Sequence, residues 1–180
     1  MSSGVPAENE KRQPVNPAVA AMLQPHTPNM TWDYVAWLKS ACSLPVILKG
    51  ILTAEDARLA AERGVDAVIV SNHGGRQLDS VLPTIEALPA VVEAVQGKIP
   101  VLMDGGIRRG TDILKALALG AQAILIGRPY VWGLAAFGQV GVQRVIELLR
   151  AELVLSMGLA GKPNLAAIDR RLVRLPGEKP

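Results

Sequence analysis

The chain has 180 residues, of which 49% are hydrophobic and 19% charged, with a formal net charge of +3. That balance supports one folded domain with a real core and excludes a disordered protein. The basic residues are spread thinly, without the Lys/Arg stripe interleaved with aromatics that nucleic-acid binding requires, so no nucleic-acid partner is expected.

The single cysteine, Cys42, excludes an intrachain disulfide and a cysteine-based metal site. It suits a reducing compartment and reads as a small buried apolar side chain. No segment offers about 18 uninterrupted apolar residues. The sequence shows neither a secretory leader nor a terminal Ser-Lys-Leu address. The expectation is a cytoplasmic chain without a transmembrane segment.

Residues 1–29 are rich in Pro, Asn, Gln and Glu, with Pro6, Pro14, Pro17, Pro25 and Pro28 breaking any helical period. They read as a flexible polar tail or loop remnant. Thr31 is a candidate N-cap for "WDYVAWLKSA", which puts Tyr34, Trp37 and Leu38 at helical spacing, with Trp32 and Trp37 expected in the core. Four short apolar runs follow: "PVILK" (45–49), "DAVIVS" (66–71), "PVLMD" (100–104) and "AILIG" (123–127). None alternates with polar residues, which predicts strands covered on both faces.

A helical stretch succeeds each run: "TAEDARLAAERG" with Thr53 as cap and Gly64 as stop, "TIEALPAVVEAVQG", "RGTDILKALALG", and a long one around "GVQRVIELLRAELVLSMGLAG". Strand and helix in strict alternation predict parallel strands joined by right-handed crossovers, about four βα units in all. The expected domain spans residues 30–175, with a short tail over 176–180.

Polar residues gather where the strands end. Lys49 ends the first, Ser71 and His73 follow the second, Asp104, Gly105 and Gly106 follow the third, and Gly127 with Arg128 follows the fourth. The C-terminal ends of parallel strands form the ligand-binding face of α/β sheets and barrels. In "DGGIRRG", two glycines let backbone N–H groups approach an anion, Arg108 or Arg109 adds charge, and the next helix points its N-terminus at the same place. "GRP" could complete the cradle. Read singly, each feature has a plainer alternative: a tight turn for the glycines, a surface lysine for Lys49, a helix cap for Asp104.

Together, "LPVILKG", "SNHGGRQLD", "DGGIRRGTDILKALALGA" and "IGRP" resemble the FMN-dependent 2-hydroxy acid oxidases and dehydrogenases, the family of glycolate oxidase and flavin-type L-lactate dehydrogenase. The match runs in order from about Asn29 to about Val173, and the fold it implies is α/β, the C-terminal half of a (β/α)8 barrel. The resemblance implies FMN as cofactor and a small 2-hydroxy acid as substrate, oxidised to the 2-oxo acid, with oxygen, quinone or a cytochrome as electron acceptor.

It further implies that His73 takes a proton from the substrate, a task suited to imidazole. Whether that proton leaves the hydroxyl or the carbon is open. Arg76 would hold the substrate carboxylate by two charge-assisted hydrogen bonds, a planar grip that lysine cannot reproduce. Lys49 would stand beside the flavin where reduction builds negative charge, and a cation about 4 Å away at an effective dielectric near 20 is worth roughly 4 kcal/mol there. Ser71 would bond the flavin. Asp104, Gly105, Gly106, Ile107, Arg108, Gly127 and Arg128 would contact the ribityl chain and phosphate, while Arg109, outside those contacts, is expected to face solvent.

A whole barrel takes about 250 residues. The motifs of the family's first half, including a tyrosine near the substrate and an aspartate that orients the histidine, do not occur here. The expectation is a half-barrel that pairs with its own copy or a complementary half, or a truncated and poorly active product. The alternative function is a truncated non-catalytic remnant, or an FMN- or phosphate-binding half-barrel that acts only with a partner.

Overall fold

The computed structural model describes residues 30–175, 177 and 178. The polar tail expected over 1–29 lies outside the described residues, as does most of that expected over 176–180. Four parallel strands, β1 (Ile47–Ile51), β2 (Ala67–Val70), β3 (Val101–Met103) and β4 (Ala123–Ile124), form one sheet in sequence order. Helices α1 (Asp33–Ala41), α2 (Ala54–Glu62), α3 (Thr84–Val95), α4 (Gly110–Ala118) and α5 (Arg128–Leu159) precede, link and follow them. The βα alternation read from the sequence is the observed architecture.

Local chemistry accounts for most boundaries. Thr53 caps α2, its hydroxyl accepting the N–H of Asp56 at 3.1 Å, and Gly64 takes a left-handed φ of +72° just past the end. The core lies between sheet and helices. Val68, Val70, Val101 and Met103 point into it from the strands and meet Ala57, Ala60, Leu88, Val91, Val95, Ile113 and Ala116 from α2, α3 and α4. The alternate residues Lys49, Ile69, Ser71 and Asp104 belong to the other face. Ile47, at the edge of that face, is 48% exposed, so helices cover only one side of β1 among the described residues.

Several details depart from expectation. Helix α1 opens at Trp32 with no side-chain cap, and Thr31 contributes its carbonyl oxygen to the N–H of Tyr34 instead of its hydroxyl. Trp37 is 55% exposed and stacks on Tyr34 with ring centroids 4.9 Å apart, leaving Val35 to face inward and Trp32 half-buried against the core. Cys42 is exposed, because it follows the last turn of α1 where the chain turns outward.

The last helix begins at Arg128, earlier than the sequence pattern suggests, and is broken at Phe137 and Gly138 into two limbs. The limbs touch through glycine: a Cβ at Gly133 would come within 2.6 Å of the Gly141 carbonyl oxygen. Two 3-10 turns, Leu165–Ala167 and Arg170–Leu172, close the fold. No described helix is long and apolar enough to cross a membrane.

The N-terminal end of the sheet is tied by Asp66. Its carboxylate accepts the Val46 N–H at 2.7 Å and faces Lys39 of α1 at 3.4 Å. The backbone donor first, then the lysine, hold this carboxyl below the ordinary range.

Candidate active site

All the polar residues singled out by sequence lie at the C-terminal ends of the strands. A cleft of about 540 Å³ is lined there by Lys49, His73, Arg76, Asp104, Gly105, Gly106, Ile107, Arg108, Gly127 and Arg128. Ser71 lies fully buried beneath it.

Strand β1 aims Lys49 through a bulge. Its pairing with β2 slips between Lys49 and Ile51, so Leu48 and Ile51 both reach the core side and Lys49 is left on the opposite face. The ammonium donates to Ser71 Oγ at 2.8 Å and pairs with Asp104 Oδ2 at 3.1 Å. Lys49 therefore faces the cleft as part of an ion pair with Asp104, a pairing that the sequence did not announce. The other carboxylate oxygen, Asp104 Oδ1, is buried and has no hydrogen-bond partner among the described residues. An unmet buried acceptor costs about 1–3 kcal/mol, and it is suited to an incoming O–H donor.

Beyond β2 the chain makes a single 3-10 turn, His73–Gly75. Ser71 Oγ accepts the His73 N–H at 3.1 Å and Asn72 Oδ1 accepts that of Gly74 at 3.1 Å. The turn needs left-handed backbone at His73 (φ +55°), Gly74 (+68°) and Gly75 (+73°), and glycine meets the demand at two of the three. The imidazole and the Arg76 guanidinium are thereby presented on an exposed rim.

Beyond β3, Gly105 and Gly106 are again left-handed, at +87° and +77°. A Cβ on Gly106 would meet nothing within 4 Å, so this backbone is open to a ligand. Arg108 stacks over Trp132, 4.9 Å from the ring centroid, and donates to the Ile107 carbonyl oxygen at 2.7 Å. Arg128 donates to the Gly74 carbonyl oxygen at 3.2 Å, joining the fourth strand's loop to the second's.

The N-terminus of α4, expected to face the anion, is already occupied. Asp112 Oδ2 accepts the N–H groups of Arg108 and Arg109, each at 2.9 Å, and Glu152 Oε2 accepts that of Gly110 at 2.8 Å. Two carboxylates thus take the N–H groups of Arg108, Arg109 and Gly110 at the helix end that sequence reasoning aimed at a phosphate. Arg109 is exposed as expected yet is paired, donating to Glu152 Oε1 at 2.9 Å. The Gly110 N–H, followed by Arg109, lowers the Glu152 carboxyl below its ordinary range. Glu152 carries no sequence signal, since it lies 42 residues away in an ordinary helical pattern.

These features suit a flavin mononucleotide. The glycine cradle with Arg108 and Arg128 fits a phosphate, the orphaned Asp104 oxygen fits a ribityl hydroxyl, and Lys49 fits an anionic ring edge.

Comparison with known proteins leads to the same place. The family of FMN-dependent dehydrogenases matches residues 2–175. The chain is 54% identical over 147 residues to 2-hydroxyacid oxidase 1 of Mus musculus, covering 82% of this chain and 40% of that protein. It is 57% identical over 148 residues to L-lactate oxidase of Nostoc sp., with the same coverage, and 55% identical over 142 residues to glycolate oxidase of Spinacia oleracea, covering 79% and 38%. A mandelate oxidase solved with (S)-2-phenylpropionate superposes with a TM-score of 0.76 at 53% identity, covering 78% of this chain and 42% of that one. The chain spans about 40% of the length of these relatives. Its match to the family over residues 2–175 makes it a member of the FMN-dependent dehydrogenase family.

Proposed function

We propose that this chain carries the catalytic face of an FMN-dependent oxidase acting on small (S)-2-hydroxy acids of the glycolate or L-lactate type, yielding the 2-oxo acid. The observation that carries this reading is the single cleft in which Lys49, His73, Arg76, Asp104 and the paired glycines meet. The relatives 2-hydroxyacid oxidase, L-lactate oxidase and glycolate oxidase support the substrate class.

Arg76 binds the substrate carboxylate with its two-pronged guanidinium, each charge-assisted bond being worth roughly 1.5–3 kcal/mol. That grip turns the substrate's C2 toward His73, which holds the proton released in the reaction. Bound FMN supplies the two-electron acceptor for the C2–H bond. Lys49, fixed by Ser71 and Asp104, sets positive charge beside the place where negative charge accumulates. Asp104 Oδ1 would accept a ribityl hydroxyl of the bound cofactor, and Gly105, Gly106, Ile107, Arg108, Gly127 and Arg128 would hold its phosphate.

The edges of β1 and β4, each paired on one side only among the described residues, and the exposed Ile47 support association with a complementary half-barrel or a second copy. Sedimentation of the purified chain checks this, and a monodisperse, stable, fully active monomer would rule it out.

The test of function is a titration of the chain with FMN, followed by glycolate or L-lactate without oxygen. Bleaching of the visible flavin band is expected. Flavin bound without bleaching would instead favour a binding half-barrel that acts only with a partner, and no bound flavin would overturn the proposal for this chain.

A further inference from the structure

We propose that Gly50 is a positioning residue for His73, the flat seat on which the imidazole rests. The inference deepens the oxidase reading and, in its functional consequence, rests on it. Gly50 is the bulged residue of β1, sitting where the β1–β2 register slips, with φ at +103°. A Cβ built there would lie 3.0 Å from His73 Cε1 and within 3.9 Å of both ring nitrogens, and these three ring atoms are its nearest neighbours. The ring therefore lies over the glycine's α-carbon, in space that any other residue would fill.

The bulge has two consequences at once. It returns Ile51 to the core side while leaving Lys49 on the cleft side, and it removes the side chain beneath the imidazole. One hydroxyl links the two: Ser71 Oγ accepts both the Lys49 ammonium at 2.8 Å and the His73 N–H at 3.1 Å. His73 itself has left-handed backbone, with φ at +55°, a conformation a non-glycine residue keeps only when its surroundings over-determine it. Ser71 fixes the backbone half of that requirement, and contact with Gly50 fixes the ring.

Charged groups that line the same cleft as the ring include Lys49 and Asp104 at neighbouring strand ends, with Arg76, Arg108 and Arg128 on the adjoining loops. A ring displaced by about 1 Å among them loses its alignment with C2 of the substrate, an error that costs about a hundredfold in rate.

The first measurement is an NMR cross-peak between His73 Hε1 and the Gly50 α-protons in the chain without flavin, which is expected and whose absence would overturn the proposal. The second is a cycle of Gly50→Ala, His73→Ala and the double variant in denaturant. Backbone strain at φ +103° penalises alanine in both backgrounds, whereas collision with the ring penalises it only where the ring is present. The proposal expects a smaller loss of midpoint in the His73→Ala background, and equal losses would sink it. In a folded Gly50→Ala variant loaded with FMN, flavin reduction by glycolate should slow about a hundredfold with little change in flavin affinity. Should the wild-type chain fail to reduce flavin at all, the oxidase reading fails while the cross-peak and the cycle still decide the seat.

Discussion

The loops that leave β2 and β3 look alike in sequence and are held in opposite ways. Each follows a buried strand and contains two adjacent left-handed glycines, Gly74 and Gly75 in one, Gly105 and Gly106 in the other. The β2 loop is fixed chiefly by neighbours: Ser71 and Asn72 each accept an N–H two residues on, Arg128 adds one long-range bond to the Gly74 carbonyl oxygen, and the long side chains of His73 and Arg76 stay on the rim. The β3 loop continues into a helix end clasped from far along the chain, by Glu152 of α5. A loop held locally can present reactive side chains without involving the core, whereas one held through a distant helix shares the stability of the whole half-barrel. Substitutions in the first should strike chemistry, and substitutions in the second should strike folding.

The largest expected effect is at His73. Replacing it by Gln removes the proton acceptor and should slow flavin reduction by about 10²–10⁴-fold, with the melting midpoint nearly unchanged, read by stopped-flow absorbance and thermal denaturation. Arg76→Lys should act in the same direction through weaker substrate binding, since a point charge cannot reproduce the planar fork. A large fall in stability for either variant would erase the contrast between the loops.

Next comes Gly110→Ala. An added Cβ would overlap the Glu152 carbonyl carbon and the Leu153 nitrogen, backbone atoms that cannot move aside like a side-chain tip. Overpacking of this kind costs about 1–3 kcal/mol, and this site belongs at the upper end. Urea denaturation should show the loss, while Gly106→Ala, open on all sides but held at +77°, should cost less. Asn72→Ala, which removes one local acceptor from the β2 loop, should cost about 1 kcal/mol or less by the same measurement.

Much of this was legible in the sequence because the strands have no polar alternation and stop at glycine, serine or a charged residue. The order of βα units, the Thr53 cap and the collection of Lys49, His73, Arg76 and Asp104 at one face follow from that pattern. What escaped depends on contacts between distant residues or on faces that spacing does not rank. Tyr34, Trp37 and Leu38 share a helical spacing with Val35 nearby, and only packing shows that Val35 faces inward. The first limb of α5 lay outside the helix read from sequence because Gly133 within it and Gly138 at the break depress helix propensity there, although Gly133 serves the close contact with Gly141 of the second limb. Gly50, just past the run 45–49 and inside the observed strand Ile47–Ile51, did carry a signal, since a glycine within a strand marks a bulge. The occupation of the α4 N-terminus carried none beyond Asp112, because the second carboxylate arrives from another helix.

The smallest effect concerns pH and separates the two loops once more. Glu152 is held below its ordinary value, near 4.5, chiefly by the Gly110 N–H and then by Arg109. A carboxyl with a depressed folded pKa contributes stability that is fully present above its unfolded value and is lost as pH falls through the folded one. Wild-type stability should therefore decline on acidification from about pH 5, more steeply than that of Glu152→Gln, whose amide keeps an acceptor for Gly110 but does not titrate. Asp66 and Asp169, also depressed, remain in both proteins and cancel from the difference. The variant's deficit should thus be largest near neutrality and shrink toward acid, a convergence that denaturant midpoints at several pH values would reveal. Parallel curves would mean that the clasp holds through hydrogen-bond geometry alone and that its charge is immaterial, leaving Asp112 as the carboxylate that offsets the helix N-terminus.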